Sequence, residues 1–202
     1  MEKTKSKFTL WLENLWYHEK AKIIIIGVVL IFIAFATAQC AGSSTPDVYL
    51  LYAGEAAIGG DVISSVDVSM EKYIPEDYNK DGRIVSDFEV YQFGSGFAEQ
   101  QKYFNAEMYG GKTVILLLSP ECYEFCRSNN YLVTLKDALG QKPEIAKDDY
   151  SISFYDLECA SEMGLNKLPD DTLVCVAAPR SDGKTTAYYD QIKFLKYMFE
   201  TK

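Results

Sequence analysis

Residues 113–129 read TVILLLSPECYEFCRSN. The run from Thr113 to Leu118 has no charge and no alternation, which marks a strand buried on both faces. Ser119, Pro120 and Glu121 then form a helix start: a capping hydroxyl, a first-turn proline and a first-turn acid. The spacing predicts a helix to about Asn129. A buried strand running straight into a capped helix is the unit of a layered α/β fold.

Working outward, the same grammar recurs. Residues 47–53, DVYLLYA, form another nearly continuous apolar run and a predicted strand. Gly59 and Gly60 open a helical stretch through Tyr73, which Pro75 closes. Residues 84–93 alternate and end at Gly94, giving a strand. A helix follows over 95–109, with Ser95 as N-cap and Gly110-Gly111 as its stop. Residues 132–139 supply a short element and a one-turn helix. Residues 141–171 are irregular, with a strand near 152–157. Residues 172–178 form a strand, and a terminal helix runs from Tyr188. Apolar strands alternating with helices predict a doubly wound, mostly parallel sheet with helices on both faces.

The chain has 202 residues, 48% of them apolar and 24% charged, which is ordinary globular usage. Its net charge is −9, unevenly spread. Residues 1–40 carry five lysines against three glutamates, while residues 41–202 hold 15 basic and 26 acidic groups. A domain so acidic repels phosphate backbones, so nucleic acid is excluded as a partner.

Residues 23–38 read IIIIGVVLIFIAFATA. With Gln39 to Gly42 the uncharged stretch reaches about 20 residues, roughly 30 Å of helix. Lys20 and Lys22 flank its front, which places the N-terminus in the cytoplasm and the rest outside. Four segments follow: 1–22 cytoplasmic and amphipathic, 23–42 a transmembrane anchor in the lipid bilayer, 43–46 a linker, and 47–202 an extracytoplasmic α/β domain. Two other readings compete. Ala36-Thr37-Ala38 fits a signal-peptide cleavage pattern, and Cys40 sits where a lipoprotein is acylated, although Gln39 is too large for that box. Before the anchor, Phe8, Leu12, Leu15 and Trp16 share a helical face with Trp11 at its edge. That face suits the cytoplasmic headgroup layer, or docking on a membrane or transporter protein partner.

Two passages carry a resemblance. AEQQ at 98–101, then AEMYGGKTVILLLS at 106–119, is similar to the helix, glycine turn and buried strand in the first lobe of two-lobed extracytoplasmic solute-binding proteins. NYLVTLKDAL at 130–139 resembles the passage that follows there. LWYHEK at 15–20, before the isoleucine-rich span and Cys40, also resembles small membrane-anchored proteins of Gram-positive, Clostridia-like bacteria. The resemblance implies a solute-binding-lobe-like module outside the membrane.

The sharpest chemical motif is DYNKDGRIVSD at 77–87. Asp77, Asn79 and Asp81 offer oxygens at positions 1, 3 and 5 of a calcium loop, Gly82 permits the turn, and the Arg83 carbonyl adds an oxygen. Phe88 stands at position 12, where a bidentate acid is expected, and Asp87 and Glu89 on either side of it are the substitutes. An ordinary Asn-Lys-Asp-Gly surface turn uses the same residues. Cys122 and Cys126 lie on one helix with unfavourable Cβ directions, so Cys159 and Cys175 are the more natural disulfide pair. The sole histidine, His18, precedes the anchor, so the outer domain lacks a His-based catalytic or zinc site. The expectation is a non-enzymatic, membrane-tethered binding or accessory module. The alternatives are a carboxylate-dependent envelope hydrolase and a structural envelope component. Two facing acids in a surface cleft would favour the hydrolase; a flat tyrosine-rich face would favour binding. Ligand and oligomeric state are open.

Overall fold

A computed structural model describes residues 7–42, 45–94, 97–179 and 185–200. The chain divides into two units, Met1–Ser44 and Thr45–Lys202. The described residues of the first form one continuous helix, α1 (Lys7–Gly42). No break separates its amphipathic start from its apolar run. Side chains are described over that run from Ile23 to Phe35, thirteen residues, or about 20 Å of rise. Among the described residues no helix is long and apolar enough to cross a membrane. The side chains of Phe8, Leu12 and Cys40, the proposed Ala36-Thr37-Ala38 cleavage pattern and the Ser95 cap fall outside the described residues.

The second unit follows the strand–helix grammar closely. Its elements are β1 (Val48–Gly54), α2 (Gly60–Tyr73), β2 (Ser86–Gln92), α3 (Phe97–Gly110), β3 (Ile115–Leu118), α4 (Pro120–Ser128), α5 (Leu135–Leu139), β4 (Ser151–Ser153), β5 (Leu173–Val176) and α6 (Thr186–Glu200). The Ser119 hydroxyl caps α4 by accepting from the Cys122 N–H, with Pro120 in the first turn. The α2 chain leaves its helix at Ile74, in an extended conformation that the following Pro75 favours.

The five strands lie in the order β2-β1-β3-β5-β4. β1 pairs parallel with both β2 and β3, whereas β5 runs antiparallel to β3 and to β4. The sheet is therefore mixed, and the expectation of a mostly parallel sheet is corrected. The physical reason lies in the β4–β5 connection. A parallel return takes a crossover, usually a covering helix. Between Ser153 and Leu173 the chain forms three single 3-10 turns instead, at Phe154–Asp156, Glu158–Ala160 and Leu165–Lys167. The strand predicted near 152–157 is likewise shorter. It ends at Ser153, where the Phe154 N–H turns to the Thr172 carbonyl.

Strand side chains alternate between two cores. Leu50, Tyr52, Ile115, Leu117, Val174 and Val176 face α2, α5 and α6. Leu51, Ala53, Leu116, Leu118 and Cys175 face α3 and α4. This alternation rules out the expected Cys159–Cys175 disulfide. Cys159 packs in the first core and Cys175 in the second, on opposite faces of the sheet. Cys122, Cys126, Cys159 and Cys175 are all buried free thiols. Burial pushes the Cys175 thiol far above its ordinary range, which keeps it in the unreactive protonated form.

Candidate functional site

The 77–83 turn folds back on itself. The Asp77 carboxylate accepts from the Lys80 N–H at 2.6 Å and the Gly82 N–H at 2.7 Å. Asn79 Oδ1 accepts from the Asp81 N–H at 2.8 Å, and Asp81 Oδ1 from the Arg83 N–H at 3.0 Å. Lys80 and Gly82 take left-handed conformations, φ 60° and 87°. Glycine enters that region without strain, and at Gly82 the turn requires it. Asp77, Asn79 and Asp81 thus stand on one turn, their side-chain oxygens bonded to its own N–H groups. Asp87 does not join them: it sits in β2, in register with Tyr49. Among the described residues no three His, Cys, Asp or Glu side chains form a metal-holding group. A cation here would draw also on Asn79 and on backbone carbonyls such as that of Arg83.

One residue the motif did not reveal fixes this turn. Asp47, at the entry to β1, is 5% exposed. Its carboxylate accepts from the Asn79 N–H at 3.0 Å and the Val85 N–H at 3.1 Å. The Asn79 amide in turn donates to the Thr45 carbonyl. Asp47 reads in sequence only as a polar residue before a strand, because its partners lie more than thirty positions on.

Beside the turn lies a cleft of about 340 Å³ at the amino ends of β1 and β3, with Tyr49, Asn79, Lys112 and Tyr188 in its wall. The Lys112 ammonium stands 5.7 Å from the centre of the Tyr49 ring, a cation–π distance. Buried Gln191 holds the floor by accepting from the Val114 N–H and donating to the Lys112 carbonyl. Glu107 accepts from the Lys112 and Thr113 N–H groups, tying the end of α3 to the start of β3.

A second crevice opens at the opposite, carboxyl ends of the same strands. β1 leads into α2 on one face of the sheet, and β3 into α4 on the other. Adjacent parallel strands whose helices diverge create a topological switch point, the usual ligand position in open α/β sheets. Here the crevice measures about 350 Å³, with a side lobe of about 190 Å³ sharing Glu55 and Glu121. The neighbouring Glu121 carboxyl, by hydrogen bonding and then by its charge, raises the Glu55 pKa above its ordinary value. No motif search would find the pair. The available signal is positional: each acid falls just past an apolar strand, and those strands prove to be neighbours.

No protein-family model, no curated protein and no solved structure matches the chain.

Proposed function

We propose that the chain is a membrane-tethered module, its outer α/β domain binding a ligand or partner protein beside a transport or envelope assembly. One observation carries the tether. From Ile24 to Phe35 the large apolar side chains of α1 are exposed around the whole helix, reaching 71% at Ile31 and 73% at Phe32. A helix apolar on every side needs an apolar surrounding. At about 25 cal/mol per Å², leaving such side chains in water costs on the order of 1.5–3 kcal/mol each. The lipid bilayer removes that cost, and residues 23–42 contain no charge to oppose insertion. Lys20 and Lys22 at the front edge favour a cytoplasmic N-terminus and an extracytoplasmic domain.

Protease added to sealed right-side-out membrane vesicles tests this placement. Digestion of the C-terminal domain with retention of an N-terminal tag is expected. Protection of both ends would refute the placement.

The facing acids favour a second reading, hydrolysis, and geometry weakens it. Glycosidase carboxyls stand about 5–5.5 Å or 6.5–9.5 Å apart, leaving room for sugar or water. Glu55 and Glu121 instead both lie exposed at the rim of the crevice. A shared-proton dyad gains its catalytic strength from a site closed to water, whereas Glu55 is open to solvent. Binding without turnover suits the crevice better.

Calcium belongs to the same proposal as a cofactor of the 77–83 turn, through Asp77, Asn79, Asp81 and the Arg83 carbonyl. Loops of this kind outside cells bind with Kd about 10⁻⁴–10⁻³ M. Calcium at about 10 mM would then stabilise the domain by roughly 1.4–2.7 kcal/mol, or about 3–10 °C in Tm. Asp81→Ala should abolish the increment, and magnesium should not reproduce it. A midpoint indifferent to calcium sinks this part of the proposal and leaves a self-bonded turn.

A further inference from the structure

The cleft at the amino ends of β1 and β3 owes its space to short side chains. Gly111 precedes β3, Ala177 and Ala178 follow β5, and Ala187 lies in the first turn of α6. Pro46, Val114 and the ring of Tyr188 complete an apolar wall. At about 340 Å³ the space falls at the small end of ligand sites.

The backbone of this wall offers a ligand few donors. The Gly111 N–H donates to the Glu107 carbonyl, those of Lys112 and Thr113 to the Glu107 carboxylate, and that of Val114 to Gln191. The Ala177 and Ala178 N–H groups donate to the Val114 and Tyr131 carbonyls. A ligand here is therefore held by apolar contact and by the side chains that reach it.

Charge then selects the ligand. Among the described residues the wall holds one charged side chain, Lys112, and no acid, although residues 41–202 carry 26 acidic groups against 15 basic. The two nearby acids, Asp47 and Glu107, turn their carboxylates to backbone N–H groups. The Lys112 ammonium stands over the Tyr49 ring, and no carboxylate of the described residues pairs with it.

We infer that this cleft binds a small monocarboxylate with an apolar, ring-sized body, its carboxylate on the Lys112 ammonium and its body against Pro46, Val114 and Ala187. The inference rests on the reading of the α/β domain as a binding module, and not on its tether. Removing the ring from water supplies affinity, and the ion pair sets the sign of charge accepted. A phosphate ester finds neither a second cation nor a row of open N–H groups among the described residues. The carboxyl-end crevice lies where open sheets usually hold ligands, but its rim of Glu55, Glu121 and Asp171 repels this class.

Phenylacetate is the probe. Its counterparts are 2-phenylethylammonium, with the same ring and the opposite charge, and acetate, which lacks the ring. Each is titrated into the full-length chain in uncharged detergent micelles and followed by NMR of isotope-labelled alanine methyls. Ala177, Ala178 and Ala187 report the cleft, and Ala53, near the other end of β1, is the reference. Phenylacetate is expected to shift the three cleft methyls saturably, with Kd on the order of 1 mM, the reach of so few atoms. It should bind at least about fivefold more tightly than either counterpart. Lys112→Met, which keeps the stem, should cost about fivefold. Ala187→Trp fills the cleft from the exposed start of α6 and should abolish the shifts at Ala177 and Ala178. Thermal melts of both variants check that the fold survives. Ammonium bound as tightly as phenylacetate overturns the carboxylate and keeps a binding module. Acetate bound as tightly overturns the apolar body. Phenylacetate binding that neither variant weakens overturns the cleft as its site. Cleft methyls unmoved by phenylacetate at about 10 mM, in a cooperatively folded chain, overturn the proposed ligand class.

Discussion

Phe104→Ala should lower the unfolding free energy of the α/β domain by about 3–5 kcal/mol. Phe104 is the one fully enclosed side chain among the described residues of α3, whose neighbours Tyr103 and Tyr109 are largely exposed. Four aromatic rings surround it: Phe93 at 5.2 Å, Tyr91 at 5.8 Å, Phe125 at 6.4 Å and Tyr131 at 6.5 Å between centroids. The Phe93 contact is edge-to-face at 83°, a geometry that adds to area burial. Rings so mutually braced collapse poorly into the space left by Ala, which sets the cost near the upper part of the range for aromatic truncation. A domain of this size has only about 5–15 kcal/mol in all, so the variant would approach its unfolding threshold. Denaturant melts followed by circular dichroism measure this directly. Phe104→Leu keeps most of the volume and should cost far less. A loss under about 1 kcal/mol for Phe104→Ala would mean that α3 is held by something other than this ring.

What sequence could and could not disclose follows the range of the forces involved. Ser119-Pro120-Glu121 announced α4 because a cap acts within one helical turn, and the structure begins the helix at Pro120. The apolar runs at 47–53 and 113–118 announced β1 and β3 because burial on both faces leaves a mark at every position. The direction of β5 left no such mark. LVCV reads identically up or down a sheet, and its sense is set by the three 3-10 turns between β4 and β5. The calcium-like spacing was legible as far as the turn extends, from Asp77 to Arg83. Its anchor Asp47 was not, since a buried carboxylate accepting two distant N–H groups leaves no local pattern. The cysteine pairing failed on parity. Cys159 and Cys175 seemed free to meet until alternation in β5 sent Cys175 to the face away from Cys159. The crevice depends on both kinds of information. Gly54 is visible in sequence as a glycine ending a strand, but its reason, the Tyr52 ring lying across it, appears only once β1 is built beside Ser119.

The largest effect is expected in α1. Val29→Arg with Ile33→Arg places two charges one turn apart, on side chains that are now exposed and apolar. Near the centre of a spanning helix each arginine costs about 2.5–3.5 kcal/mol, and losing Val or Ile adds a few tenths. Together they oppose insertion by roughly 5–7 kcal/mol, a factor on the order of 10⁴. The chain should leave the carbonate-washed membrane pellet for the soluble or aggregated fraction. The same pair tells two membrane arrangements apart. If α1 lay flat in the headgroup layer, arginines would gain from anionic lipid, and attachment would hold or tighten. That geometry also requires a polar face, and residues 23–38 supply none. A spanning helix is further distinguished by the wild type, which should resist carbonate extraction altogether. Retention of the double variant in the washed pellet would overturn the span and move the tether to the amphipathic stretch before Lys20.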